Sequence, residues 1–216
     1  MKKSRISNNV IRRLPRYIRH LDEMIAAGVV RASSEEIGRH TDLTASQVRQ
    51  DFNCFGGFGQ QGYGYNILEL RKQLADIVGM NNRFSAIILG AGNLGRAIIG
   101  NFHFQDYGFN LKAAFDISPS VAGRSISGIP VYHMDTLESF LAENAIDVAI
   151  LTVPGGQAEA SAARVIASGV TGIWNFTNQE ISSLPDGAII EDVHFSDSLL
   201  SLSYYLTEAR VSKKED

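Results

Sequence analysis

Apolar residues recur at helical spacing near the start of the chain. They lie three or four positions apart: Ile11, Leu14, Ile18, Leu21 and Ile25. This spacing predicts a helix over residues 8–27 that ends at Gly28. Pro15 should lie in a first turn or kink this helix, because proline has no backbone N–H and its ring clashes with the preceding turn.

Two capping boxes follow. Ser33-Ser-Glu-Glu36 predicts a short helix over Glu35–His40, and Thr44-Ala-Ser-Gln47 opens a second helix that runs to about Asn53. The four-residue turn between them predicts a helix-turn-helix, although an ordinary antiparallel helix pair would have the same pattern. The second helix would expose side chains suited to bases, thymine methyls and phosphates: Ala45, Ser46, Gln47, Arg49 and Gln50.

Aromatic residues and glycines alternate from Phe55 to Tyr65 around a Gly59–Gly62 tip. This alternation predicts a β-hairpin, and a hairpin directly after a recognition helix is a wing that can reach the minor groove with Gln60, Gln61 and Tyr63. A flexible glycine linker is the alternative. Asn66 then caps a helix that extends to Gly79, with Ile67, Leu70, Leu74 and Ile77/Val78 on one face.

The pattern changes at Phe84, where an apolar run ends in Gly90-x-Gly92-x-x-Gly95 and a helix-compatible segment begins at Asn93-Leu94. Gly90 would allow a tight turn, Gly92 a close approach of phosphates, and Gly95 close packing of helix and strand. Asp116 closes the next strand 21 residues past the last glycine, where a ribose-binding acid is expected. The stretch predicts a dinucleotide site for NAD(H) rather than NADP(H), because Asp116 would repel a 2′-phosphate. The alternatives are a purely structural turn or a site for another nucleotide such as coenzyme A.

Strand and helix patterns alternate through the rest of the chain. Strands are predicted at Pro130–His133, Ile146–Val153, Val170–Phe176 and Ala188–Val193, with helices from Asp135 to about Asn144 and over Gly156–Ser168. We therefore predict an α/β fold, a Rossmann-like doubly wound parallel sheet behind the winged helix-turn-helix. The strand ends that would line its ligand crevice, besides Gly90 and Asp116, are Thr152, Val153, Pro154, Asn175 and Phe176.

A last helix, predicted over Asp197–Arg210, is apolar on more than one face, which favours packing against a partner chain over burial within its own domain. The predicted domains are residues 1–80 for DNA binding, 81–196 for the nucleotide, and 197–216 for dimerisation.

Charge follows the same division. Residues 1–80 carry 12 Lys and Arg against 8 Asp and Glu, whereas residues 81–216 carry 8 against 15. This asymmetry favours a nucleic-acid partner for the first domain, although a basic solvated helix face would give the same count.

Several function classes find no support. No apolar run reaches the roughly 18 residues of a membrane helix, and no apolar signal core follows the basic N-terminus, so we expect a cytoplasmic protein. The single cysteine, Cys54, excludes intrachain disulfides and paired-cysteine metal sites. His103, His133 and His194 are scattered, so we expect neither a catalytic group nor a metal site.

The chain resembles Rex, a bacterial family of redox-sensing transcriptional repressors. The matching segments are Arg12-Arg13-Leu-Pro-Arg-Tyr17, Ser33-Ser34-Glu-Glu-Ile-Gly38, Thr44–Phe52, Gly56–Tyr65, Gly90–Gly95 with Phe115-Asp116, Gly128–Tyr132, Leu151–Pro154 and Gly172–Phe176. The resemblance implies a homodimer on double-stranded, inverted-repeat operator DNA, from which NADH releases it in competition with NAD⁺. It also implies that the last helix crosses the dimer and that Phe195 covers the partner's nicotinamide.

The chain departs from the family pattern at three places. Gln60-Gln61 replaces a cationic wing tip, Asn101 replaces a tyrosine, and His194 replaces an aspartate. Two rival functions remain open at this point. One is a small NAD-dependent oxidoreductase, for which His194 is the candidate proton-transfer residue, and the other is a DNA-binding regulator that senses coenzyme A.

Overall fold

The computed structural model describes residues 6–56, 58, 63–182, 185 and 187–215, with the backbone alone for residues 213–215. The chain forms two compact units, Met1–Asn81 and Asn82–Asp216. Among the described residues, one apolar core lies within the first unit and two lie within the second.

The first unit begins with helix α1, Asn8–Ala26, which Ser7 caps. α1 continues through Pro15, which lies in its interior rather than in its first turn. The face that α1 buries consists of Val10, Leu14, Tyr17, Ile18, His20, Leu21 and Met24. Ile11, predicted to belong to this face, is instead 48% exposed.

Helices α2, Ser34–Thr41, and α3, Ala45–Asn53, form the predicted helix-turn-helix. At the start of α2 the Ser33 hydroxyl accepts the Glu36 N–H, and the Glu36 carboxylate accepts the Ser33 N–H. The second capping box forms only in half. Thr44 accepts the Gln47 N–H, but the Gln47 side chain turns forward to Asp51.

Short strands β1, Arg31–Ala32, and β2, Tyr65–Asn66, pair antiparallel. Phe58 and Tyr65 both pack edge-on against Phe52 of α3, so aromatic residues around the predicted wing extend the core. The hairpin tip, Gln60 and Gln61 included, lies outside the described residues. Asn66 caps α4, Ile67–Ile77, as predicted. Ile77 and Val78 are more than one-third exposed and do not join its buried face.

The second unit contains a seven-stranded sheet. Its strands are β3 (Phe84–Leu89), β4 (Phe109–Asp116), β5 (Ser125–Ile126), β6 (Ile129–His133), β7 (Val148–Leu151), β8 (Gly172–Asn175) and β9 (Ile189–Asp192). The spatial order is β5-β6-β4-β3-β7-β8-β9, and every neighbouring pair is parallel except β5 with β6. Without β5 this is the 3-2-1-4-5-6 order of a dinucleotide-binding sheet. The predicted doubly wound fold is confirmed.

Helices cover both faces of the sheet. α5, Asn93–Asn101, contributes to one core, while α6, Leu137–Glu143, and α7, Ala158–Ala167, contribute to the other. The helix predicted from Asp135 begins later: Asp135 lies within a 3₁₀ turn, and α6 starts at Leu137 without a side-chain cap. The last helix, α8, runs over Phe195–Glu215 and is longer than predicted.

Candidate functional site

The glycine turn between β3 and α5 has the geometry that a nucleotide phosphate requires. Gly90 has a φ of +99°, and a Cβ there would lie 2.8 Å from the backbone of Thr152. A Cβ on Gly95 would collide with the Gly90 carbonyl oxygen. A Cβ on Gly92, by contrast, would meet nothing within 4 Å. The turn is therefore closed on its inner side and open at Gly92, where the first N–H groups of α5, at Asn93 and Leu94, begin.

Thr152 holds this turn from the neighbouring strand. Its hydroxyl donates to the Gly90 carbonyl at 2.7 Å and lies 3.1 Å from the Leu89 carbonyl. Val153 and Pro154 continue from it along the same edge of the sheet. The Thr152 side chain thus positions the turn, and its backbone and the next two residues border the crevice.

Asp116 is brought to the glycine turn at the end of β4. One carboxylate oxygen accepts the Ala91 N–H at 2.7 Å, and the other accepts the Ser118 N–H at 2.8 Å. Each carboxylate oxygen can accept a further hydrogen bond, because it carries two lone pairs. Asp116 can therefore brace the turn and still accept ribose hydroxyls.

Asn175 lies on the far side of the crevice, at the end of β8, and is 1% exposed. Its amide donates to the Gln179 carbonyl and to Asp192, both at 2.7 Å. Its side-chain oxygen accepts the N–H and the hydroxyl of Thr177. These four bonds use the whole side chain, so Asn175 shapes the loop beside the crevice, and a direct ligand contact would come from its backbone.

Aromatic rings continue from this point to the last helix. Phe176 lies 4.6 Å from Trp174 and 6.3 Å from Phe195, measured between ring centroids. Phe195, the first residue of α8, is 61% exposed. The strand end that borders the crevice is therefore linked by contact to the helix that was predicted to bind a partner.

Helix α8 presents large apolar side chains to solvent. More than half of each of the following side chains is exposed: Leu199, Leu200, Leu202, Tyr204, Tyr205 and Leu206. On the sheet of the same unit lies an apolar groove of about 390 Å³, with Phe102, Tyr107, Ile150 and Trp174 among its lining residues. Because both surfaces are apolar, the groove is chemically suited to an apolar helix such as α8.

The outer face of α3 carries the DNA-binding candidates in the first unit. Ser46, Arg49 and Gln50 are exposed, while Ala45 and Gln47 are half-buried. The Arg49 guanidinium donates to the Ser34 hydroxyl at 2.8 Å, which joins α3 to the start of α2. Ser33, the other predicted serine, is exposed but its hydroxyl caps α2.

A buried carboxylate lies beneath this face. Asp51 is 1% exposed and accepts two hydrogen bonds from Arg13, at 2.6 and 2.7 Å, one from Tyr17 at 2.8 Å and one from Gln47 at 2.8 Å. Burial raises the pKa of Asp51, but the hydrogen bonds from Arg13, Tyr17 and Gln47 outweigh it, and the pKa lies below its usual value. Burial and the bond to Asp51 raise the pKa of Tyr17. Arg13 and Tyr17 thus fix α3 on α1 through Asp51, while Gln47 supports the same carboxylate from within α3. Arg13 and Gln47 were both predicted to contact DNA, and these bonds give each of them a structural role.

The remaining DNA candidates are spread around this face. Arg12 is exposed on α1. Tyr63 is 71% exposed, and its carbonyl accepts a hydrogen bond from Arg31 at 3.0 Å. Neither Arg31 nor Arg96 was predicted as a site residue, although the Arg96 side chain folds back to the glycine turn. Their positions in the sequence could have identified both, because Arg31 lies just before the capping box at Ser33 and Arg96 directly follows Gly95.

The described part of the chain offers little support for a metal site, a membrane span or proton transfer by His194. No group of three His, Cys, Asp or Glu side chains there could hold a metal ion. No helix among the described residues is both long and apolar enough to span a bilayer. His194, the candidate proton-transfer residue, lies 3.3 Å from the Asn178 side-chain oxygen.

Comparison with known proteins gives a consistent result. Residues 5–53 match a family model described as putative DNA-binding protein N-terminus, and residues 81–179 match one described as CoA binding domain. The redox-sensing transcriptional repressor Rex of Thermoanaerobacter pseudethanolicus is 47% identical over 99% of this chain and 95% of its own length. Rex of Clostridium acetobutylicum is 45% identical over 98% of this chain and 99% of its own length.

Solved structures give the same picture. The crystal structure of RSP in complex with β-NAD⁺ and operator DNA is 47% identical, with a TM-score of 0.89, and the match covers 98% of this chain and 97% of that one. RSP in complex with β-NADH is 44% identical, with a TM-score of 0.90, and the match covers 99% and 100% of the two chains.

Proposed function

The chain belongs to the Rex family of redox-sensing transcriptional repressors, and we propose that its first unit binds operator DNA while its second unit senses NADH against NAD⁺. One observation carries this proposal: a single chain combines a helix-turn-helix with a glycine turn that Asp116 closes. The protein is a regulator rather than an enzyme, as its relatives are.

The chemistry of Asp116 supports NAD(H) as the ligand. Its carboxylate faces the turn, suits the free ribose hydroxyls of NAD(H), and repels the additional phosphate on the ribose of NADP(H) or coenzyme A. The crevice would be lined by Gly90, Gly92, Asn93, Leu94, Gly95, Asp116, Thr152, Val153, Pro154, Asn175 and Phe176. The RSP complexes with β-NAD⁺ and β-NADH support this ligand over coenzyme A.

The exposed apolar side chains of α8 support a homodimer. A monomer would leave this helix in water together with the apolar groove beside Trp174. Each α8 packed on a partner would cover both surfaces and bring Phe195 to the partner's nicotinamide. Two helix-turn-helix units related by a two-fold axis then match an inverted repeat. Such a repressor works beside the chromosome, which in bacteria lies in the cytoplasm.

Within the first unit we assign base contacts to Ser46, Arg49 and Gln50, which α3 exposes. Ser33, Ser34, Arg12 and Tyr63 would contact phosphates around them, and Gln60 and Gln61 would reach the minor groove. Arg13 would act by holding α3 on α1 through Asp51, and Gln47 by supporting that carboxylate from within α3.

The test uses an operator duplex selected from random DNA by the ligand-free protein. Calorimetry with NADH and fluorescence anisotropy with the duplex are then compared for the wild type and Asp116→Ala. We expect NADH binding to weaken by about 1.5–3 kcal/mol, the value of a hydrogen bond to a charged group, while ligand-free operator binding remains. Asp106→Ala removes an exposed carboxylate elsewhere in the same unit and serves as the control. Equal NADH affinity in Asp116→Ala and the wild type would refute the site.

A further inference from the structure

One cation, Arg96, lies on the glycine turn without an acidic partner among the described residues. Arg96 is the fourth residue of α5 and the only Lys, Arg, Asp or Glu in residues 84–105. Its Nε donates to the Ala91 carbonyl at 2.8 Å, so the guanidinium folds back over the helix N-terminus. The N-terminus of a helix is positively polarised and disfavours a nearby cation. The first turn of α5 has no acidic residue that would offset this charge.

The same peptide group connects Arg96 to the ribose-binding acid. The Ala91 N–H donates to Asp116 while the Ala91 carbonyl accepts from Arg96. Arg96 is therefore held on the turn at Ala91, next in sequence to Gly92, where an added Cβ would meet nothing within 4 Å. Its two terminal nitrogens form no hydrogen bond or ion pair with any described residue, and they carry four N–H donors.

We propose that Arg96 binds the pyrophosphate of the dinucleotide. The proposal rests on the NAD(H) site proposed above and adds a residue to it. A guanidinium suits phosphate oxygens, because its N–H groups form charge-assisted and bidentate hydrogen bonds with them. Since NADH and NAD⁺ share the pyrophosphate, Arg96 raises the affinity for both equally. It thus sets how much total cofactor occupies the protein and leaves the preference between the two redox forms to the nicotinamide end.

The test measures binding of NADH, NAD⁺, ADP-ribose and adenosine to the wild type, Arg96→Gln and Arg96→Lys. The first three ligands contain the pyrophosphate and adenosine does not. We expect Arg96→Gln to bind each of the three about tenfold more weakly, as for one charge-assisted hydrogen bond, with adenosine unchanged. Arg96→Lys keeps the charge and should recover part of the loss. The salt dependence of NADH binding should be shallower in Arg96→Gln than in the wild type.

Lys112→Gln provides the matched control, because it removes the same charge from an exposed position on β4 of the same unit. It should bind all four ligands as the wild type does. Unchanged NADH affinity in Arg96→Gln overturns the proposal while the NAD(H) site stands. An equal loss for adenosine also overturns it, because Arg96 would then act through the shape of the turn. A wild type that binds no NADH removes the site and the proposal together.

Discussion

Replacing Asp51 with alanine should destabilise the first unit more than any exposed charge replacement in it. Asp51 is buried, and three side chains donate four hydrogen bonds to it. Removing one partner of a buried ion pair typically costs about 3–5 kcal/mol. Since the Arg13 side chain is 25% exposed and can turn to water, we expect the lower end, about 3 kcal/mol in the free energy of unfolding.

The pH dependence of the stability that Asp51 contributes follows from the direction of its pKa shift. The pKa of Asp51 is lower in the folded unit than in the unfolded chain, where it is about 4. The carboxylate therefore stabilises the fold fully above pH 4, and the contribution is lost as the pH falls through the folded pKa. Asp51→Asn keeps the shape of the side chain without the charge. The difference in stability between the wild type and this variant should be largest near neutral pH and should shrink below pH 4.

The assay is urea unfolding of the full chain by far-UV circular dichroism, with operator and NADH titrations on the folded protein. Trp174, the only tryptophan, lies in the second unit, so its fluorescence follows that unit. Asp51→Ala should weaken operator binding and leave NADH affinity unchanged. Asp22→Ala is the matched control: it breaks a pair with Arg71 that also joins two helices, but Asp22 is 48% exposed, and such pairs contribute about 0–1 kcal/mol. Equal destabilisation by the two replacements would refute the reasoning.

Three further predictions concern the turn, the recognition helix and the last helix. Gly95→Ala should abolish NADH binding, measured by calorimetry, because its Cβ would collide with the Gly90 carbonyl; wild-type affinity would contradict the geometry of the turn. If Arg49 reads a base, Arg49→Ala should cost about 1–3 kcal/mol of operator affinity and relax specificity at one base pair. If Arg49 contacts phosphate, the replacement should weaken binding to all DNA sequences alike and flatten the salt dependence of binding. Unchanged operator binding would show that α3 is not the recognition helix. Truncation after Phe195 should give monomers that bind the operator weakly, whereas Phe195→Ala should remain a dimer that responds less to NADH. A dimeric truncated chain in analytical ultracentrifugation, or a normal NADH response of Phe195→Ala, would exclude that role.

Local features of the fold were predictable because neighbouring residues determine them. The caps at Ser33, Thr44 and Asn66 each need only a side chain and an N–H three residues later, and all three formed. Asp116 was predictable for a similar reason, since the distance from Gly95 to the end of the next strand varies little in this fold.

Contacts between distant residues were not predictable from local pattern. Arg13 and Asp51 are 38 positions apart, so their ion pair could not be predicted from the local pattern, and the DNA contact predicted for Arg13 stays a prediction. Asn175 likewise has its donors and acceptor occupied by residues that follow it in loops and on the next strand. Ile11 shows the limit of periodicity, because it follows the apolar spacing of α1 and yet lies at the edge of the buried face.

Operator affinity at saturating NADH and at saturating NAD⁺ tests the central claim most directly. A ligand changes DNA binding only if it binds the DNA-competent and DNA-free states with different affinity, and the effect must be reciprocal. Fluorescence anisotropy with the selected duplex should show weaker binding with NADH than with NAD⁺. Operator DNA should in turn weaken NADH binding by the same factor by which NADH weakens operator binding. Equal operator affinity with the two ligands would contradict the account, because the second unit would then bind a dinucleotide without controlling the first.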